Sequence, residues 1–224
     1  MLKYMRWLGM YKAGFEDLWN ALKRGETVLI EHPSDSMSCK GLYSLVQWAR
    51  SKDYPVVIDD ILDTLYIYKV NIELADLDSS SLNEALVIKE GGRLKVGNVV
   101  GHITLKESAI QWMEYERVAR PIFENSEKLI INVVLGIEKL FMLADSKREL
   151  ITNINNLLSW IGNKKRIAFY FVNLSLINAI EFGVLPLLEE LASTIIKIEK
   201  IGNEIRAIIT KSANDELNNL EIRL

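Results

Sequence analysis

Residues 27–45, TVLIEHPSDSMSCKGLYSL, indicate how the chain is organised. A β-rich run at 27–31 enters a loop of small polar residues, and an amphipathic segment follows that loop. A strand that leads through such a loop into a helix is the outline of a phosphate-binding loop at the end of a first strand. The stretch therefore predicts a strand at 27–31, a loop at 32–40 and a helix at 41–52.

The same loop lacks the residue types that hold a phosphate. The motif G-x-x-x-x-G-K-[ST] uses glycines so that the backbone can wrap the phosphates, a lysine for their charge and a hydroxyl for Mg²⁺. In this chain His32 and Met37 stand at the two glycine positions. Ser38 stands at the lysine position and Cys39 at the hydroxyl position. The loop therefore has the outline of a phosphate site without its chemistry.

The composition is that of an ordinary globular domain. The chain has 224 residues, of which 49% are hydrophobic and 25% charged, and its formal net charge is −3. One domain over 1–224 is expected, with a helical lead-in at 1–24 and a loosely held tail at 213–224. The lack of a basic excess argues against a nucleic-acid partner, and no apolar run approaches the roughly 18 residues of a membrane span. We therefore expect a cytoplasmic protein.

Beyond the loop, short apolar strands alternate with amphipathic helices. The further predicted strands are 55–58, 85–89, a twisted ribbon through 94–103, 129–135, 166–172, and a terminal hairpin of 194–200 and 204–210. The further predicted helices are 12–24, one that follows Asp59 and runs to about Leu74, one that opens at Thr104 and is limited by Pro121, one from Ser146 to Gly162, and 183–192. This alternation predicts an α/β domain with a mostly parallel central sheet and a C-terminal antiparallel hairpin.

Taken together, these segments resemble the core of the RecA/KaiC-type ATPases over about residues 20–212. The matching stretches correspond to the first strand and phosphate loop, the second strand with its acidic residue, the Walker B strand, the strand after it and the closing hairpin. They are VLIEHPSDSMSCKGLYSLV, PVVIDDILDTL, LIINVVLGIEKL, RIAFYFVNLS and LEELASTIIKIEK with RAIITK. More closely, the chain resembles an uncharacterised family of hyperthermophilic archaea, the Thermococcales. The resemblance implies a single three-layer domain of the P-loop type.

The resemblance also places Asn132 where the ATPases carry the aspartate that coordinates magnesium. An amide cannot supply that carboxylate, and phosphoryl transfer relies on positioned charge and metal. The leading hypothesis is therefore a non-catalytic protein- or peptide-interaction module or oligomeric scaffold, with possible self-association, no catalytic residue and no cofactor. The alternative is a divergent nucleotide-binding ATPase that uses Lys40 and Asp60 in unusual roles. A third option is a regulator that binds nucleotide without hydrolysing it.

The polar loop after the first strand has two interpretations. Ser34, Ser36, Ser38 and Lys40 could hold an anion at the start of the helix through hydroxyl groups and backbone amides. The simpler interpretation is a polar strand-to-helix connection whose side chains bond to nearby backbone.

Three aspartates, Asp59, Asp60 and Asp63, follow the second strand, where the ATPases keep a catalytic acid. They could act as a general base or as metal ligands. The simpler interpretation is that Asp60 caps the next helix with Asp63 at its third position. The two histidines and the single cysteine have no recognised metal-ligand spacing, so we expect no metal site.

Aromatic and methionine side chains lie along the helix that follows the fourth predicted strand. Trp112, Met113, Tyr115 and Phe123 could line a groove for a partner, because methionine and aromatic residues are favoured at adaptable interfaces. Packing against the core is the alternative. An exposed sheet edge beside 85–103 would suit a peptide that adds to the sheet.

Overall fold

Apolar strands that are buried on both faces form the centre of the structure. The computed structural model describes residues 14–202 and 204–223. Strands β1 (Thr27–His32) and β5 (Ile130–Leu135) are buried along their whole length, and β6 (Arg166–Asn173) is buried except at its last residue. The other strands are β2 (Val56–Ile61), β3 (Leu86–Glu90), β4 (Asn98–Ile103), β7 (Thr194–Ile201), β8 (Glu204–Lys211) and β9 (Glu221–Arg223). Continuous apolar runs are typical of strands covered by helices on both sides.

The strands of the described chain form one sheet in the order β4-β3-β2-β5-β6-β1-β7-β8-β9. All neighbours from β4 to β7 are parallel, whereas β8 and β9 run antiparallel to their neighbours. Strand β1 lies between β6 and β7, so Val28 pairs with Phe169 on one side and with Thr194 on the other. The predicted sheet, mostly parallel with a C-terminal antiparallel hairpin, is therefore confirmed.

Helices cover both faces of this sheet, because side chains alternate between the two faces along each strand. The first face is covered by α1 (Phe15–Ala21), α2 (Ser38–Ser51), α3 (Thr64–Leu74) and a 3-10 helix (Ser79–Glu84). The second face is covered by α4 (Ser108–Glu124), α5 (Ile137–Met142), α6 (Lys147–Leu158), α7 (Leu174–Ile177) and α8 (Leu185–Leu191). None of the helices within the described residues combines the length and apolar character that crossing a bilayer requires.

Several element boundaries differ from those expected from the sequence. Helix α2 begins at Ser38 rather than at 41, and β2 extends to Ile61, so that Asp59 and Asp60 lie inside the strand rather than after it. Pro121 does not limit α4 but lies within it. The helix continues past the proline because Phe123, two residues further on, is fully buried in the core, and such burial outweighs the lost backbone hydrogen bond.

The two ends of the described chain are also held by the sheet. The helix predicted at 12–24 corresponds to α1, and residues 12 and 13 lie outside the described residues. The tail expected to be loose contains β9, which pairs with β8. Its apolar side chains explain this, since Leu217, Leu220 and Ile222 are buried in the core of the first face.

Candidate functional site

The loop after β1 is closed by hydrogen bonds to the protein itself. Ser36 Oγ donates to the Pro33 carbonyl over 2.8 Å, and the Ser36 backbone N–H donates to the same oxygen over 3.2 Å. Ser34 Oγ donates to Asn173 Oδ1, at the end of β6, over 3.0 Å. Two hydroxyl groups that were candidates for holding an anion are therefore directed to protein acceptors.

The third serine joins a buried chain of polar groups next to the loop. Ser38 Oγ donates to the Tyr68 hydroxyl over 3.1 Å, and that hydroxyl lies 3.1 Å from His32 Nε2. Burial raises the pKa of Tyr68 and lowers that of His32, which keeps both groups neutral at pH 7. The cavity that Met37 and Ser38 line holds about 10 Å³ between apolar side chains. That volume is about one water molecule and is too small for a phosphate.

Lys40 and Cys39 lie in the first turn of α2. Lys40 is exposed, and its backbone N–H donates to the Met37 carbonyl over 3.0 Å. Cys39 is 2% exposed, and burial raises the pKa of its thiol, which makes it a poor nucleophile. His102 is exposed on β4, away from the buried His32. Within residues 14–202 and 204–223, no three His, Cys, Asp or Glu side chains are grouped as metal ligands would be.

On the first face, Asp60 belongs to a buried ion cluster. Lys89 Nζ donates to Asp60 Oδ2 over 2.7 Å and to Asp63 Oδ1 over 2.5 Å. Asp60 is 1% exposed and Lys89 is 3% exposed. Burial by itself lowers the pKa of Lys89, but hydrogen bonds and charge from the two aspartates outweigh it and leave the pKa raised. Asp60 Oδ1 also accepts the Leu65 backbone N–H over 2.8 Å, so both oxygens of this carboxylate are bound.

Asp63 occupies the N-cap position of α3, where Asp60 is expected from the sequence, but its side chain makes no capping hydrogen bond there. The Asp60 carboxylate instead accepts the Leu65 N–H in the first turn, so the side-chain bond to the start of the helix does come from Asp60. Asp63 has a left-handed backbone conformation with φ of 61°, and its carboxylate accepts the backbone N–H groups of Arg93 and Leu94 over 2.8 to 3.0 Å. Against the opposing effect of desolvation, hydrogen bonds from Lys89 and these amides lower the pKa of Asp63. Position 92 needs a glycine, because the Cβ of any other residue would clash with Asp63 Oδ1.

Asn132 and Asp59 lie on the second face of the sheet. Asn132 is fully buried within β5, and its Nδ2 donates to Asp59 Oδ2 over 2.9 Å and to the Val57 carbonyl over 3.3 Å. Arg166 donates in turn to Asn132 Oδ1. The structure therefore does not bring Asn132 into one site with Asp60 or with the loop after β1.

A cavity of about 300 Å³ lies on the second face among α4, α5 and α6. Its polar lining includes Asp59, Glu90, Arg166 and Tyr170 from the sheet, and Gln111 and Tyr115 from α4. Its apolar lining includes Leu105, Trp112, Val134, Ile137, Leu140, Phe141, Leu143, Leu157 and Trp160. An apolar pocket of this size with a few convergent polar groups is typical of a small-molecule site.

Two carboxylates of this cavity are withdrawn from water. Asp59 Oδ2 accepts the Tyr115 hydroxyl over 3.2 Å, and Glu90 Oε2 accepts Gln111 Nε2 over 2.7 Å. Burial outweighs these hydrogen bonds and raises the pKa of Asp59 to about 6 and that of Glu90 to about 7. Both groups therefore titrate close to neutral pH, which is common at functional sites.

Arg166 is the buried cation of the same cavity, at 3% exposed, and Lys106 also lines it. Its guanidinium lies 5.1 Å from the ring centre of Trp160 and 5.3 Å from that of Phe123, which is cation–π distance. Two buried atoms nearby, Asp59 Oδ1 and Trp160 Nε1, have no hydrogen-bond partner in the described part of the chain. The cavity thus combines a fixed positive charge with an unused acceptor and an unused donor.

From the sequence, Glu90 is expected in a turn and Arg166 at the start of a strand, with no functional role for either. A signal was present, since both residues are charged and stand in mainly apolar, buried strand sequences, LVIKE and RIAFYFVN. A charged group in a strand that is covered on both faces needs a partner. Such positions therefore mark buried polar sites.

The aromatic and methionine candidates are divided between core and surface. Phe123 is fully buried and Tyr115 is 6% exposed, and both pack with Trp160. Trp112 is half-buried and stacks on Tyr115 with ring centres 5.1 Å apart. Met113 is 71% exposed. Core packing therefore explains Tyr115 and Phe123, whereas Trp112 and Met113 lie nearer the surface.

Solved structures place the fold among known proteins. The protein PH0250 of Pyrococcus horikoshii OT3 is 33% identical, with a TM-score of 0.80, over 92% of this chain and 96% of that one. The KaiC-like protein PH0186 of the same organism is 10% identical, with a TM-score of 0.63, over 96% of this chain and 99% of that one. PH0321 of Pyrococcus horikoshii, solved in complex with an unknown peptide, is 11% identical, with a TM-score of 0.59, over 85% and 86% of the two chains.

The likeness to the KaiC-like protein confirms the RecA/KaiC-like fold predicted from the sequence, and at this identity it concerns the fold alone. No curated protein matches the chain. A family model described as "Pyrococcus protein of unknown function, DUF257" matches residues 17–223. This match and the 33% identity to PH0250 show that the chain belongs to the DUF257 family of Pyrococcus proteins.

Proposed function

We propose that this protein is a non-catalytic RecA/KaiC-like domain that acts as a protein- or peptide-binding module. The observation that carries the proposal is the closed loop after β1. The hydroxyls of Ser34, Ser36 and Ser38 donate to protein acceptors, and the adjoining cavity holds about 10 Å³. A nucleotide site at this place needs open backbone amides and a lysine on the phosphates. The closed loop therefore supports the non-catalytic half of the proposal.

Asp60, the candidate acidic residue of the first face, is also poorly suited to hold magnesium. Asp60 is neutralised by Lys89 and accepts a backbone N–H of α3. Asn132 lies on the second face and is bound to Asp59. Because phosphoryl transfer depends on positioned charge and metal, we expect neither binding nor turnover of ATP. The alternative, a divergent ATPase that uses Lys40 and Asp60, makes the opposite prediction.

We assign the partner surface to the β4 side of the molecule. Strand β4 is the terminal strand of the sheet, and Val100 on it is 41% exposed. On α4, which packs against β4, Ile110 is 47% and Met113 is 71% exposed. The β3–β4 register shift leaves Val100 in a bulge, which opposes continuous strand addition. We therefore expect contacts through these apolar side chains. The peptide bound to the fold neighbour PH0321 favours a peptide as the first partner to test.

Thermal unfolding with ATP and Mg²⁺ tests the non-catalytic half of the proposal. A ligand at 100 times its Kd adds about 2.7 kcal/mol of stability, so about 5 mM nucleotide would reveal a Kd of about 50 µM or lower. We expect no change in Tm. ATP turnover that is lost on Lys40→Ala or Asp60→Asn would contradict the proposal and support the divergent ATPase.

Selection of peptides from a displayed library on the purified protein tests the binding half. We expect the selected peptides to bind the Met113→Lys variant at least tenfold more weakly. The matched control is Met142→Lys, at a residue that is 52% exposed on α5, and it should leave binding unchanged. Peptides that bind Met113→Lys undiminished would move the partner surface elsewhere. Sedimentation of the protein alone shows whether a second copy occupies the same surface.

A further inference from the structure

The cavity on the second face contains a buried acceptor and a buried donor that the fold itself leaves unused. Asp59 is 2% exposed, and its Oδ2 accepts two hydrogen bonds, while its Oδ1 accepts none from the described residues. Trp160 is 6% exposed, and its Nε1 likewise finds no acceptor within the described chain. Both residues line the cavity. Since nearly all buried polar groups in proteins are hydrogen-bonded, these atoms need partners from outside the described residues, which water or a ligand in the cavity supplies.

The charges around the cavity favour a positively charged ligand. The lining carboxylates are Asp59, Glu90 and Glu149, and the lining cations are Lys106 and Arg166. The charge of Lys106 is already paired with Glu114 at 2.7 Å, whereas Glu149 accepts only the neutral Ser108 hydroxyl over 2.6 Å and adds to the negative charge around the cavity. The buried charged groups that the sheet contributes to the cavity, here called its floor, are the carboxylates of Asp59 and Glu90 and the guanidinium of Arg166. One added positive charge would balance the floor when both carboxylates are ionised.

The walls of the cavity indicate the chemical character and the size of the rest of the ligand. Leu105, Leu140 and Leu157 contribute apolar surface, and Trp112 presents a half-buried indole stacked on Tyr115. Aliphatic and aromatic walls bind an apolar body, and an indole face also attracts a cation. A volume of about 300 Å³ lies at the lower end of the range for small-molecule sites.

We propose that this cavity binds a small organic cation, a primary amine or amidine on an apolar body, whose N–H group donates to Asp59 Oδ1. The body lies against Trp112 and the leucines of the wall. The site goes beyond the proposed function and does not depend on it, because it uses neither the loop after β1 nor Met113.

Thermal unfolding and calorimetric titration at pH 8 test this site with defined probes. Phenethylamine and benzamidine carry the expected charge on an apolar ring, 2-phenylethanol is a neutral isostere, and phenylacetate is an anion of similar size. We expect the two cations to raise the Tm and to give saturable heat. The alcohol and the anion should bind at least tenfold more weakly.

Two variants locate the site. Asp59→Asn removes the charge, and its remaining oxygen can still accept the hydrogen bonds from Asn132 and Tyr115, so we expect folding with at least tenfold weaker amine binding. The matched control is Asp76→Asn, at an exposed residue of left-handed conformation that asparagine also adopts. Independently, Asn156→Trp should fill the cavity and prevent binding, whereas Asn155→Trp, at an exposed position of the same helix, should not.

The outcomes separate this proposal from its rivals. Equal binding of phenethylamine and 2-phenylethanol would show an apolar pocket without charge recognition and would overturn it. So would amine binding that survives both Asp59→Asn and Asn156→Trp, or the absence of any response to either cation. Binding of a lysine-containing peptide without binding of the free amines would replace it with a peptide subsite.

Discussion

Two adjacent residues of β2, Asp59 and Asp60, lie in different electrostatic environments. Asp60 faces the first face, where Lys89 pairs with it, and Asp59 faces the second, where neutral donors from Asn132 and Tyr115 reach one of its oxygens. From the sequence both aspartates are expected to follow the strand. The alternation of strand side chains would have separated them, but their partners lie far along the chain and could not be predicted from local pattern.

Lys89 offers a test of the buried ion cluster at the scale of single residues. Lys89→Met should lower the free energy of unfolding by about 3–5 kcal/mol, because it leaves the Asp60 carboxylate buried without its cation. Chemical denaturation measures the change.

The matched control for this prediction is Lys128→Met. Lys128 pairs with Asp53 at the surface, where both side chains are more than half exposed, and such pairs contribute about 0–1 kcal/mol. The double variant Lys89→Met with Asp60→Asn should recover part of the loss. A loss at Lys89 no greater than that at Lys128 would mean that the cluster contributes little to stability.

At the scale of elements, the strands were more predictable than the helix ends. The apolar runs at β1, β5 and β6 locate these strands to within one or two residues, because strands covered on both sides need continuous apolar sequence. The start of α2 was not predictable in the same way. Met37 occupies its N-cap without a side-chain hydrogen bond, so the usual capping residue is missing. Ser146, by contrast, is a usual capping residue, and it caps α6 by accepting the Glu149 backbone N–H over 3.1 Å.

Pro121 within α4 leads to a prediction for that helix. Pro121→Ala should raise the free energy of unfolding by about 1–2 kcal/mol, because alanine restores a helical N–H and removes a steric clash, less the entropy that proline removes from the unfolded chain. Guanidinium denaturation of the variant measures the change. Pro186→Ala is the control, since that proline lies in the first turn of α8, where it is well tolerated, and no gain is expected there. Destabilisation by Pro121→Ala would contradict this prediction.

At the scale of the whole molecule, buried acids predict an unusual pH dependence of stability. Burial raises the pKa of Glu31, Glu90 and Glu138 to about 7 and that of Asp59 to about 6. In the folded state these groups hold protons that the unfolded chain has already lost between about pH 4 and pH 7. The stability that these bound protons give the folded state is complete below about pH 4 and is lost as the pH rises through 6 and 7. Burial lowers the pKa of His32, so its effect is opposite: it reduces the stability of the folded state as the pH falls below the ordinary pKa of histidine.

We therefore expect the protein to be more stable at pH 5 than at pH 8, by about 3 kcal/mol or more. Guanidinium denaturation at pH 5, 6, 7 and 8 and constant ionic strength measures this difference. Glu90→Gln keeps an oxygen for the Gln111 hydrogen bond and should reduce the difference. A free energy of unfolding that rises from pH 5 to pH 8 would contradict the pKa shifts on which the prediction rests.

The architecture of the whole molecule could be predicted from the order of its segments, because strand–helix alternation and the resemblance to RecA/KaiC-type proteins point to one sheet. The cavity could not be predicted in this way. It lies among α4, α5 and α6 and is lined by side chains such as Trp112 and Leu157, which are far apart in the sequence and come together only in the folded chain. Fold-level resemblance therefore located the closed loop but not the pocket on the opposite face.

The position of β1 in the middle of the sheet has a kinetic consequence. Val28 pairs with Phe169 and Thr194, so the first strand cannot gain its neighbours until segments far along the chain have formed. Contacts of such long sequence separation slow folding. Until they form, the apolar strand β1 remains open to pairing with other chains. We therefore expect refolding to be slow and most efficient at low protein concentration.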